Sequence, residues 1–157
     1  MGEGILKDKI RFKGRLEVFV REKGEEEWKR IRKAENVITN TGLLEILSAI
    51  MGTYDDYATF RYFAIGTGTT TASETDTALE SEQFRKQISG LYKDDANYQL
   101  RYECYIDTSE YTGDISEFGL FDASSGGNML NRVTFTTFTK TSSMEIRFDY
   151  YLGVSRA

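Results

Sequence analysis

In the stretch IRFKGRLEVFV, residues 10–20, Ile10, Phe12, Leu16, Val18 and Val20 share one parity, and charged or polar side chains occupy much of the other. A period of two is the signature of a half-buried strand, because successive side chains of an extended chain point to opposite faces of the sheet. The pattern recurs in WKRIRKAENVI, FRYFAIG, FRKQISGLY, YQLRYECYID, ISEFGLFD, MLNRVTFTTF and MEIRFDYYLGV. The expectation is an all-β chain, an antiparallel β-sandwich of jelly-roll-like character with about eight strands and one short helix. The polar stretches DDAN, between GLYK and YQLRY, and ASSGGN, between GLFD and MLNRV, supply residue types suited to tight turns, so both pairs of strands are expected to be antiparallel neighbours.

The exception to the period of two is TNTGLLEILSAIMG. Leu43, Leu44, Ile46, Leu47 and Ile50 fall at helical spacing, with Asn40 or Thr41 as the expected cap and Gly52 as the stop. Its apolar face is wide, so the helix is expected to plug one end or edge of the sandwich rather than lie on lipid. DTALESE is expected to add a single helical turn.

Length and composition set the limits. A chain of 157 residues fits one domain spanning 1–157 and can bury a sizeable core, with 1–35 read as an added N-terminal hairpin or docking arm. Hydrophobic residues at 39% and aromatics at 13% argue against disorder. The net charge of −5, with basic clusters partly neutralised by adjacent acids, disfavours a nucleic-acid groove. No apolar run reaches the roughly 18 residues of a membrane helix, and the N-terminus lacks the apolar core of a signal peptide. The expectation is a soluble protein made in a reducing cytoplasm.

Several chemistries lack their residues. The chain has no His and one Cys, Cys104, whose parity with Leu100, Tyr102 and Ile106 marks it as a buried small hydrophobe. Serine and cysteine triads in their usual form are excluded with the histidine. Carboxylates for glycoside hydrolysis can be drawn from Glu103, Asp107, Glu110, Asp114 and Glu117, but spacing does not place a pair across a bond. Glu117, set among the apolar residues of ISEFGLF, is expected to need a partner in Arg85, Arg132 or a backbone donor.

The segment FAIGTGTTTASETDTALESE, residues 63–82, is the one loop that looks chemical. A dinucleotide cradle needs Gly at the third position of G-x-G-x-x-G, where this chain has Thr71, and no P-loop lysine follows. Glu74, Asp76, Glu80 and Glu82 suggest a hard cation, yet they do not follow the calcium-loop pattern, and a solvated acidic loop is the preferred reading. No cofactor or metal ligand set is expected. Gly66, Thr67, Gly68, Thr69 and Thr70 are read instead as an assembly loop whose glycines adopt dihedrals closed to other residues.

Three blocks in order, NVITNTGLLEILSAIMG, FRYFAIGTGTTTASETDTALESEQFRK and GDISEFGLFDASSGGNMLNRVTFTTFTKTSSMEIRFDYYL, resemble a family of small structural proteins of tailed phages and prophages. The resemblance covers about residues 36–152 and implies a non-enzymatic virion component, a tail-fibre or appendage domain or a capsid decoration protein. It implies protein partners within the virion and a homo-oligomer, with a trimer expected because closed symmetry covers sheet edges that no Pro protects. The second reading is a carbohydrate- or receptor-binding module presenting Tyr54, Tyr57, Tyr92 and Tyr111 at its rim to a host-surface glycan. An enzyme acting on polysaccharide ranks third.

Overall fold

The computed structural model describes residues 9–51 and 60–157. Two five-stranded antiparallel sheets face each other, as the alternation predicts. Their strands are β1 (Ile10–Glu22), β2 (Lys29–Glu35), β3 (Val37–Ile38), β4 (Tyr62–Gly66), β5 (Glu82–Gln87), β6 (Gly90–Asp94), β7 (Gln99–Ile106), β8 (Gly113–Phe121), β9 (Met129–Lys140) and β10 (Met144–Arg156), with helix α1 (Asn40–Met51) between β3 and β4. The first sheet has the order β2-β1-β10-β7-β6 and the second β3-β9-β8-β4-β5.

Ten strands replace the expected eight because two apparently continuous runs change sheets. WKRIRKAENVI crosses at Asn36, giving β2 to the first sheet and β3 to the second, and FRKQISGLY crosses at Ile88 and Ser89 between β5 and β6. A strand that turns such a corner keeps its composition, so the crossing leaves little trace in the alternation.

The core lies where the two inner faces meet. Leu16 and Val18 from β1, Tyr102, Cys104 and Ile106 from β7, and Ile146, Phe148 and Tyr150 from β10 are buried against Phe63, Ile65, Phe118, Leu120 and Val133 of the other sheet. Phe118 is central, its ring centroid 5.2 Å from that of Phe148 and 6.2 Å from that of Phe63. Cys104 is fully buried as expected, and burial pushes its thiol well above the ordinary value, so it stays protonated and inert. The β1–β2 hairpin, expected as an added arm, pairs with β10 along all of β1 and gives Leu16 and Val18 to this core.

The other faces differ between sheets. The outer face of the first carries a ladder of charge, with Asp149 3.2 Å from Arg147 and 3.7 Å from Arg101, and Glu145 2.5 Å from Arg21. The outer face of the second is covered by the chain between β4 and β5, which lays Leu79 onto a small second cluster with Ala64, Phe121 and Met129.

Helix α1 departs from expectation twice. Its cap is Thr39, whose Oγ1 accepts from Gly42 N at 3.0 Å and donates to Met129 O at 2.7 Å, rather than Asn40 or Thr41. Its apolar side does not plug the sandwich. Ile46 packs toward the core, whereas Leu43 is 41% exposed, Leu44 62%, Leu47 57% and Ile50 76%. The expected stop at Gly52 lies outside the described residues, and 76–81 are irregular with bends, with Glu82 opening β5, rather than a helical turn.

Candidate functional site

The Gly-Thr-Gly loop is built onto Glu117. The β8–β9 register shifts between Ile115 and Glu117, where β9 carries the extra residues, and there Ser116 and Glu117 reach the same loop residue. Ser116 Oγ donates to Gly68 O at 2.7 Å, and Gly68 N donates to Glu117 Oε1 at 3.0 Å, so two adjacent side chains satisfy both backbone groups of Gly68. Glu117 also accepts from Ser81 N at 2.8 Å and Glu80 N at 3.0 Å. One fully buried carboxylate therefore holds both ends of the loop.

The fourth donor is Arg132 of β9. Gly119 is its cross-strand partner in β8, so Arg132 and Glu117 are diagonal neighbours on the same outer face. Arg132 Nε donates to Glu117 Oε2 at 2.9 Å, Nη1 donates to Asp76 Oδ2 at 3.0 Å, and Nη2 faces Glu80 Oε2 at 3.9 Å. Asp76 in turn accepts from Ser73 N at 2.9 Å. The Arg132 side chain is 3% exposed and that of Glu117 is fully buried. A buried charge is tolerable only when paired and hydrogen-bonded, and here the carboxylate receives four donors.

The glycines follow from this geometry, and the expected reason for them is corrected. Neither Gly66 nor Gly68 has a positive φ; those that do are Gly24, Gly113, Gly126 and Gly127. A Cβ at Gly68 would stand 2.7 Å from Glu117 Cδ and 2.6 Å from Glu80 Cβ, and one at Gly66 would collide with Ser81 O and Glu117 Oε1. Close approach, not dihedral freedom, demands glycine at both. At Gly119 the missing side chain leaves a seat for Leu79, whose Cδ2 would lie 3.1 Å from an added Cβ.

Asp76 and Glu80 of the loop converge on the Arg132 guanidinium, whereas Glu82 pairs with Arg85. Among the described residues no group of three His, Cys, Asp or Glu side chains is placed to hold a metal. Glu80 is held below the ordinary glutamate range, first by the Thr70 hydroxyl and then by Thr69 N and Arg132. Thr67, Thr69 and Thr70 remain exposed, with Thr67 Oγ1 3.1 Å from Ser81 Oγ. Residues 66–70, expected as an assembly loop, thus form a pinned rim with three exposed threonines, two of whose hydroxyls are bonded to Ser81 and Glu80.

Of the other predicted residues, Arg85 does not reach Glu117. It pairs with Glu82 at 2.5 Å, donates to Ala123 O and Gly126 O, and lies 3.7 Å over the Phe121 ring. The rim aromatics do not come together. Tyr92 stands on edge strand β6, 48% exposed, with the Arg101 guanidinium 4.5 Å over its ring, and Tyr111 is half-buried against Phe84 with its hydroxyl donating to Asp114 O. Tyr54 and Tyr57 lie outside the described residues. Of the carboxylates considered for hydrolysis, Glu110 pairs with Lys86 at 2.8 Å, Glu103 with Arg101 at 3.0 Å, and Asp107 accepts from Ser109 N.

Sequence reasoning missed Asp76 as a partner of Arg132. The available signal was the pair of opposite charges in apolar runs, Glu117 in ISEFGLF and Arg132 in LNRVTF, on strands joined by a short turn. Also missed was Lys140, 1% exposed at the end of β9, whose amine among the described residues donates to Thr108 O and Thr141 O at 3.4 and 3.3 Å and whose pKa burial lowers. No family model, curated protein or solved structure matches this chain.

Proposed function

We propose that the protein is a non-enzymatic building block of a tailed-virus particle, an appendage, tail-fibre or capsid decoration component that acts by protein–protein assembly. The observation that carries the reading is the side of α1 that no described residue covers. Leu43, Leu44, Leu47 and Ile50 turn outward together, and a contiguous apolar patch on a folded domain marks a contact surface. The carboxylates of Asp76, Glu80 and Glu82 support the reading too, since Arg132, Arg85 and backbone donors engage them. The Thr-rich rim adds a rigid neighbour-facing edge. The expected state is a homo-oligomer, a trimer by the symmetry argument, residing in the virion after synthesis in the host cytoplasm.

Mass spectrometry of purified particles tests membership, and light scattering of the isolated chain at micromolar concentration tests self-association. Peptides of this chain in stoichiometric amounts and a mass above the monomer's 17.9 kDa are the expected results. A strict monomer missing from the particles would end the reading.

A further inference from the structure

The two ends of β1 carry opposite, unneutralised charge. At its start, Ile10–Lys13 pair with β10 on one side, whereas the pairing of β1 with β2 runs no further than Arg15 opposite Glu35 and the bond from Asn36 N to Gly14 O. Among the described residues this leaves the other edge of 10–13 open, with its backbone donors and acceptors unpaired. A groove of about 860 Å³ is lined by residues 9–15, by Glu35, Ile38 and Leu43 beside the open edge, and by Tyr151 and Val154 of β10. Lys9, Arg11 and Lys13 are exposed and make no ion pair among the described residues, although Glu35 also lines the groove.

At the far end of the same strand lies the β1–β2 turn. Glu25, Glu26 and Glu27 are all exposed there, beside Lys23, in a segment that joins neither sheet. Glu25 accepts from Glu22 N, and Glu26 and Glu27 make no ion pair among the described residues. Thirteen residues of strand separate the two ends, about 40 Å at strand rise, so a chain cannot fold its own turn into its own groove.

We propose that the basic groove along the open edge of β1 receives the Glu25–Glu27 turn of a second copy, joining copies head to tail. The inference rests on the assembly reading above and specifies one of its contacts. Three extended residues span about 10 Å, the length of the open edge, so the turn adds a short strand whose Glu25 and Glu27, on one parity, meet Lys9, Arg11 and Lys13, which also share one. Such a contact uses different surfaces on the two copies. It therefore propagates into a ring if the rotation closes and into a stack if it does not.

The test is sedimentation of the full chain and of two double variants, Arg11→Glu with Lys13→Glu, and Glu25→Lys with Glu27→Lys, with circular dichroism confirming the sheet. Wild type is expected to associate at low salt and to lose about tenfold or more of that association as added salt screens the exposed charges. Each variant alone places like charges at the contact and loses the salt-sensitive association. Their equimolar mixture restores complementary ends and recovers it. A mixture no more associated than its components overturns the inference, as do variants that associate like wild type; in the latter case the assembly reading stands. A wild-type chain monomeric at every salt and concentration overturns both. Binding of a duplex oligonucleotide that needs Arg11 and Lys13, with self-association unaffected by either variant, replaces the second copy with a nucleic acid.

Discussion

The loop between β4 and β5 and the helix before β4 invert each other. The loop is polar, rich in Gly, Thr and Ser, and in sequence looks like a solvated acidic loop, yet its backbone is pinned at Gly68, Glu80 and Ser81 by one buried carboxylate. The helix is apolar and in sequence looks like a piece of core, yet Leu44 and Ile50 are among its most exposed side chains. Composition reports what a segment can bury; whether it is buried depends on what the rest of the chain lays against it. Glu117 and Arg132 give the loop a partner that it cannot do without, and among the described residues no such partner covers the outer side of α1.

The largest effect that separates the two regions is expected from Glu117→Ala. It removes the buried carboxylate paired with Arg132 Nε and leaves three backbone N–H groups without their acceptor, and loss of one member of such a pair costs about 3–5 kcal/mol. Chemical denaturation reads this directly, and an unchanged midpoint would mean that the loop does not depend on its clamp. Next is Leu79→Ala, which empties the seat over Gly119 and is expected to cost about 2–4 kcal/mol. Gly68→Ala follows at about 1–3 kcal/mol, because its Cβ overpacks against Glu117 Cδ and Glu80 Cβ rather than because of any dihedral strain.

Acid should distinguish the loop as well. The carboxyl of Glu80 sits below its ordinary value through the Thr70 hydroxyl, Thr69 N and Arg132. A carboxylate with a depressed folded pKa adds stability above its unfolded value, about 4.3, and loses that contribution as pH falls through the lower folded value. Amides at Thr69 and Thr70 are therefore expected to lose protection below about pH 4.3, and protection unchanged down to pH 2 would remove Glu80 from the clamp. The smallest effect is expected from Leu44→Ser with Leu47→Ser on the helix. These side chains stand in solvent, so each change should move monomer stability by about 0.5 kcal/mol or less while weakening self-association. A large loss of stability in the monomer would mean that the helix is core after all.

The strands were legible because alternation survives in almost every one, and Cys104, the DDAN and ASSGGN turns and the need of Glu117 for a partner all followed from side-chain parity and burial cost. The two sheet changes were not legible, since Asn36 and Ile88–Ser89 interrupt no pattern that a strand obeys. Nor was the cap, because Thr39, Asn40 and Thr41 are all capping residues, and Thr39 wins through the bond of its hydroxyl to Met129 O in the neighbouring strand. The role of Gly66 and Gly68 was misread for a related reason. A glycine needed for closeness and a glycine needed for positive φ look identical until the facing residue is known.

Hydrogen exchange of the backbone amides, resolved by residue, tests the central claim most directly. The account predicts that Gly68, Glu80 and Ser81 N–H exchange as slowly as strand amides of β8, and that Glu117→Gln speeds all three together while the amides of α1 keep their own rate. Exchange of Gly68 and Ser81 at the rate of an open loop in the unaltered protein would contradict it.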